Sequence, residues 1–193
     1  MRIAVFLGCS AAALALISGV ARAELGEATP TAGGELSISL PMTGGSFAGA
    51  LTGRARVLVA DEADGGTPFG EFSVTDTRDS GTGWSVTVSA TRFANLTYSG
   101  KDLTLGSLTM PPLAVESTDA SSTAPPDTLQ QATTVDTGDG GVVVAACTQH
   151  GQGVGTYVFS AVGGEPWRLD IAADAYAGVY VSTATITVAT LVL

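Results

Sequence analysis

Trp84-Ser85-Val86-Thr87-Val88-Ser89-Ala90 and Trp167-Arg168-Leu169-Asp170-Ile171-Ala172-Ala173 contain the only two tryptophans of the chain, in one shared pattern. Both read tryptophan, any residue, aliphatic, polar, aliphatic, small, alanine, and an aromatic follows nine positions after each indole, Phe93 and Tyr176. Strict alternation is the signature of a strand, whose successive side chains point to opposite faces. It places Trp84, Val86 and Val88 on one face, and Trp167, Leu169 and Ile171 on the corresponding face of the second segment. Two readings of the indoles follow. They are core residues, since large aromatics dominate burial, or they form a recognition surface, where tryptophan is enriched.

Working outward, the same alternation or short β-branched runs recur at Leu36–Leu40, Val57–Val59, Phe72–Thr75, Leu103–Leu105, Leu113–Val115, Val142–Ala146, Thr156–Ala161 and Val179–Val192. Gly, Asp, Ser and Pro clusters of the kind that make turns separate them. No stretch sustains a helical period. The expected fold is all-β, a single-domain, antiparallel-rich β-sandwich of about ten strands. Residues 116–127 are rich in Ser, Thr, Ala and Pro and read as an exposed loop between two halves. Asp61-Glu62-Ala63-Asp64-Gly65-Gly66 and Asp136-Thr137-Gly138-Asp139-Gly140-Gly141 suggest a faint internal repeat across that loop.

The first 23 residues read as an export signal: Arg2, an apolar stretch from Ile3 to Val20, then Ala21-Arg22-Ala23 as a small-x-small cleavage site. A lipoprotein signal at Cys9 is disfavoured by Leu7 and by the apolar run continuing past the cysteine. Cleavage leaves 170 residues, with residues 24–34 as a flexible leader and 35–193 as the β domain. Six basic residues then face eighteen acids, a net charge of −12, and Lys101 is the sole lysine. Such a surface argues against nucleic acid, whose phosphates require cations. It argues equally against attraction to anionic lipid or wall polymers. Cys147 is the one cysteine outside the signal, so no internal disulfide is expected, and its apolar run suggests a small buried residue. The apolar terminus Ala184–Leu193 is too short to cross a bilayer, so no transmembrane segment is expected in the processed chain.

The parts of an active site are missing. His150 is the only histidine, and there is no Gly-x-Ser-x-Gly elbow. Asp170 and Asp174 form a candidate carboxylate pair without a defined cleft. No enzyme is expected. The Asp-Gly turns offer oxygen ligands for calcium, but hairpin turns explain them without a metal, and no cofactor is expected. Asn95-Leu96-Thr97 is a formal glycosylation sequon.

Phe72-Ser73-Val74-Thr75-Asp76-Thr77-Arg78, followed by Gly83-Trp84-Ser85-Val86, resembles the first motif region of the WxL domain. Gly151–Tyr157, Trp167-Arg168-Leu169 and Ala173–Tyr180 resemble the Gly-rich approach, second motif and terminal turn of that family. The likeness spans about Glu35 to Leu193. The first motif departs from the pattern, with Val86 where Leu is usual. The resemblance implies a surface domain of Gram-positive bacteria that binds peptidoglycan non-covalently at the cell wall, often with a companion WxL-interacting protein. It marks Trp84, Val86, Trp167 and Leu169 as the motif residues, for binding or for architecture. The alternative implied is a structural or adhesive subunit that binds a partner protein and reaches the wall indirectly.

Overall fold

A computed structural model describes residues 2–11, 35–39, 45–50, 56–59, 71–78 and 81–191. Fifteen strands occur among them, in three sheets. The first sheet runs β10 (Asp127–Thr128), β12 (Val142–Ala146), β6 (Trp84–Ala90), β15 (Val179–Thr190), β1 (Arg2–Ala11) and β3 (Gly45–Ala50), with β7 (Ala94–Asn95) also paired to β15. The second runs β11 (Thr133–Thr134), β8 (Leu108–Met110), β14 (Arg168–Ile171) and β4 (Arg56–Val59). The third runs β2 (Leu36–Ser39), β5 (Glu71–Asp76), β13 (Gly155–Ala161) and β9 (Leu113–Ser117). Every pairing is antiparallel except β1 with β15.

The all-β, sandwich-like expectation is met. In β14 the predicted alternation holds residue by residue, with Leu169 and Ile171 buried and Arg168 and Asp170 exposed. In β6 the inward set is also as expected, and Ser85 is buried besides. The strand count exceeds the expected ten. Strands of two or three residues (β7, β8, β10, β11) carry no readable period, and β1 falls inside the segment read as an export signal. Leu103 and Leu105 lie in no strand. Leu103 is buried in the core from a loop and Leu105 is exposed, while β8 begins three residues after Leu105. The loop at 116–127 is shorter than read: Glu116 and Ser117 extend β9 against Val158 and Tyr157, and Asp127 opens β10. An edge strand with a polar, solvated face has the composition of a loop. The first half of the proposed repeat, at Asp61–Gly66, lies outside the described residues, as do residues 24–34.

Rings from opposed sheets meet in the core. Trp84 of β6 packs edge-on to Phe159 of β13 at 6.3 Å, and Phe159 stacks on Phe72 of β5 at 4.7 Å. A polar clip holds the rim. Asp76, at the end of β5 and 1% exposed, receives Arg78 Nε at 2.8 Å and Nη2 at 2.9 Å. The other guanidinium nitrogen reaches Thr190 Oγ1 at 2.7 Å, at the far end of β15. One bidentate pair, of the geometry that favours Arg over Lys, thereby ties the third sheet to the first.

Candidate functional site

The structure places all four motif residues in the core. Trp84, Val86 and Leu169 are fully buried, and Trp167 is 2% exposed. An indole without an accessible face offers no stacking surface to a ligand, so these residues set the architecture. Trp84 shows how. Its Nε1–H donates to the Gly153 carbonyl at 3.0 Å. Gly153 has φ +79°, and a Cβ there would collide with Cys147 Sγ and stand 2.8 Å from the indole nitrogen. The Gly-rich segment is therefore a lid that must lie flat on the indole. The 118–126 loop is sutured to the same place: Gly153 N–H donates to Ala124 O at 3.0 Å, Gln152 Nε2 to Pro125 O at 2.8 Å, and the Tyr157 hydroxyl to Thr123 O at 2.8 Å.

Cys147 sits inside this packing, fully buried. Burial, with the negative charges of Asp76 and Asp127, pushes its thiol from 9.0 up to about 12. The thiolate is the nucleophile, so iodoacetamide at pH 8 should leave the native protein unlabelled and modify it only after unfolding. The linkage sign follows. Between pH 9 and 12 the unfolded chain loses a proton that the folded chain keeps, so stability is full below pH 9 and falls as pH rises towards 12. Cys147→Ala should make that alkaline decline shallower. A thermal-melt series from pH 8 to 11 with identical slopes for both proteins would contradict this.

The acidic turn is also structural. Asp136 is fully buried, and its carboxylate accepts the Ser107 and Leu108 amides at 3.0 and 2.9 Å. Those oxygens serve the backbone of β8. No group of three or more His, Cys, Asp or Glu side chains is placed to hold a metal among the described residues. Asn95 of the sequon is 5% exposed and uses Oδ1 to cap the next turn, accepting the Thr97 and Tyr98 amides at 2.8 and 2.9 Å. A buried capping amide is no acceptor for a glycan.

That cap creates the exposed aromatic feature that the sequence did not reveal. It turns Tyr98 outward, and the chain folds back through Gly100 (φ +75°) to Lys101. Pairing of β7 with β15, Asn95 opposite Tyr180, carries this loop beside the 172–176 turn. The rings of Tyr98 and Tyr176 come to 6.1 Å, each 48% exposed, and Lys101 Nζ lies 4.6 Å above the Tyr176 ring. Next to them opens a pocket of about 230 Å³ whose walls include Lys101, Asp102, Asp170, Asp174 and Tyr176. The candidate pair Asp170 and Asp174 thus does converge on one cleft, together with a third carboxylate. Asp102 is partly committed, accepting the Asn95 amide at 3.1 Å. Aromatic faces beside hydrogen-bonding carboxylates suit a ligand with both flat apolar and polar faces. His150 is far in role from this cleft: its exposed ring covers Gly81.

No helix among the described residues is long and apolar enough to cross a membrane. A comparison with curated proteins finds no match. Against family models the chain matches one described as WxL domain surface cell wall-binding, over residues 55–188. That span is more than half of the chain. It contains both tryptophan segments, the Gly153 lid and the tyrosine pocket.

Proposed function

Because the chain belongs to the WxL family of surface cell wall-binding domains, we propose that it is exported and holds peptidoglycan non-covalently through the pocket walled by Tyr176 and the neighbouring Tyr98 ring. Cell-surface, wall-associated placement is the family's property, and the ligand and the site are the proposal. The observation that carries it is half-exposed Tyr176 in the wall of a pocket with three carboxylates, its ring 6.1 Å from the half-exposed ring of Tyr98. Sugar rings stack on aromatic faces, and their hydroxyls and acetamido N–H groups donate to carboxylates. No catalytic step is needed for this role.

With a net charge of −10 over the whole chain, attraction to an anionic wall polymer is unfavourable, so the binding is read as short-range and largely neutral. A sedimentation assay on purified, teichoic-acid-free peptidoglycan tests it. The protein should co-sediment at both low and physiological salt, with and without calcium. If it stays in the supernatant under all four conditions, it does not bind peptidoglycan.

A further inference from the structure

Lys101 is the only lysine of the chain, and it stands in the wall of the Tyr176 pocket. The backbone around it is fixed on both sides. Gly100 turns the chain at φ +75°, and the Lys101 N–H donates to the Tyr98 carbonyl at 3.1 Å. Asp102, the next residue, is held through its carboxylate, which accepts the Asn95 amide at 3.1 Å. The Lys101 ammonium lies 4.6 Å from the centre of the Tyr176 ring, within the range at which an aromatic face attracts a cation. Asp102, Asp170 and Asp174 share the same walls, yet the ammonium pairs with none of them. Among the described residues, Arg78 with Asp76 is the only salt bridge. The carboxylates of Asp170 and Asp174 accept no hydrogen bond from a described residue. The ring thus holds a donor apart from the acceptors, and both kinds of group stay open to a ligand.

Charge narrows what that ligand is. Three carboxylates against one ammonium leave the walls at a formal −2. An anionic group gains Lys101 but meets the three acids. A cationic group gains the acids but meets Lys101 over the ring. A neutral group with an acceptor beside a donor uses both. A hydroxyl carries the two on one atom. A trans secondary amide carries them on opposite sides of a plane, so its C=O and N–H reach different wall groups at once. Its methyl needs only apolar contact, which Leu103, Ala172 and Ala175 supply. The cavity of about 230 Å³ falls below the roughly 300–1,000 Å³ that suits drug-sized ligands, so it houses a single ring with its substituent.

We propose that Lys101 is the specificity-determining residue of this pocket. Its ammonium donates to the acyl carbonyl of an N-acetylated amino sugar, whose amide N–H is accepted by the wall carboxylates and whose ring lies against Tyr176. The inference rests on the pocket being the wall site, and it adds the ligand class: N-acylated sugars over sugars that carry hydroxyls alone.

The folded protein is titrated calorimetrically with the tetramer of N-acetylglucosamine and with cellotetraose, which has the same linkage and length without the amides. A hydrogen bond from a charged donor is worth about tenfold or more in affinity. The acetylated tetramer should bind at least about tenfold more tightly than cellotetraose. Lys101→Met, which keeps the aliphatic stem, should shrink that preference to about threefold or less. Lys101→Arg, which keeps the charge and the ring contact, should retain most of it. Lys101 is exposed, so both variants should melt as the wild type does. Isotope-labelled lysine gives one side-chain signal, because there is one lysine. That signal should move with the acetylated tetramer and stay in place with cellotetraose at equal saturation. An undiminished preference in Lys101→Met, or a wild type that sediments with peptidoglycan but ignores the acetylated tetramer, overturns this inference alone. A Tyr98→Ala, Tyr176→Ala protein that sediments as fully as the wild type overturns the pocket reading and this inference with it.

Discussion

Trp84→Ala should unfold the domain or leave it barely folded. The indole is fully buried and lies where β6, β13 and the Gly153 lid meet. Truncating a buried tryptophan costs about 3–5 kcal/mol in transfer and cavity terms. It also strands the Gly153 carbonyl, and an unpaired buried polar group adds about 1–3 kcal/mol. A domain of ordinary stability has only about 5–15 kcal/mol to lose. Trp84→Phe separates the two terms, because it keeps most of the apolar bulk and loses the N–H. Its urea midpoint should fall between those of the wild type and Trp84→Ala. Gly153→Ala should approach the Trp84→Ala result from the other side of the contact, since its methyl has no room between Cys147 and the indole. A Trp84→Ala protein with a native near-ultraviolet spectrum and an unshifted midpoint would show that the indole is not what closes the core.

The two tryptophan segments were legible because each is long enough to show a period of two. Their common pattern nevertheless conceals a difference. Phe93 and Tyr176 stand at the same offset from their indoles, but Phe93 is fully buried and Tyr176 is 48% exposed. Local spacing places residues along a strand and says little about the loop that follows. The exposed tyrosine pair beside the pocket was illegible for the same reason. Tyr98 and Tyr176 lie 78 positions apart in the sequence, and only the β7–β15 pairing brings them together. The pairing itself is two residues long, too short for any periodic signal. Asp76 and Asp136 were missed differently. Each is a buried carboxylate whose partner is a neighbouring arginine or a pair of distant amides, and a sequence shows an acid without its environment. Asp170 and Asp174 were noticed as a pair, but the cleft that gives the pair meaning needed Lys101 and Asp102 from the other side.

Replacing Tyr176 of the pocket wall together with its neighbour, Tyr98→Ala with Tyr176→Ala, should release the protein from peptidoglycan without unfolding it. Each ring is about half exposed, so its removal opens no core cavity. The one structural bond at Tyr176 uses its backbone carbonyl, which accepts the Tyr180 hydroxyl and survives the change to alanine. Surface replacements of this kind move stability by about 0.5 kcal/mol or less. Binding is another matter, because an aromatic anchor at a contact centre contributes about 2 kcal/mol or more. Since every 1.4 kcal/mol is about tenfold in affinity, each single variant should bind roughly thirtyfold more weakly or worse, and the pair by about several hundredfold. Tyr98→Phe and Tyr176→Phe should stay close to wild type if stacking carries the contact, and fall with the alanine variants if the hydroxyls do. Salt supplies an independent check. Short-range neutral contacts resist screening, whereas exposed charge pairs weaken over the Debye length of about 8 Å at physiological ionic strength. A double variant that sediments with peptidoglycan as fully as the wild type would remove the tyrosine pocket as the wall site, whatever the rest of the surface does.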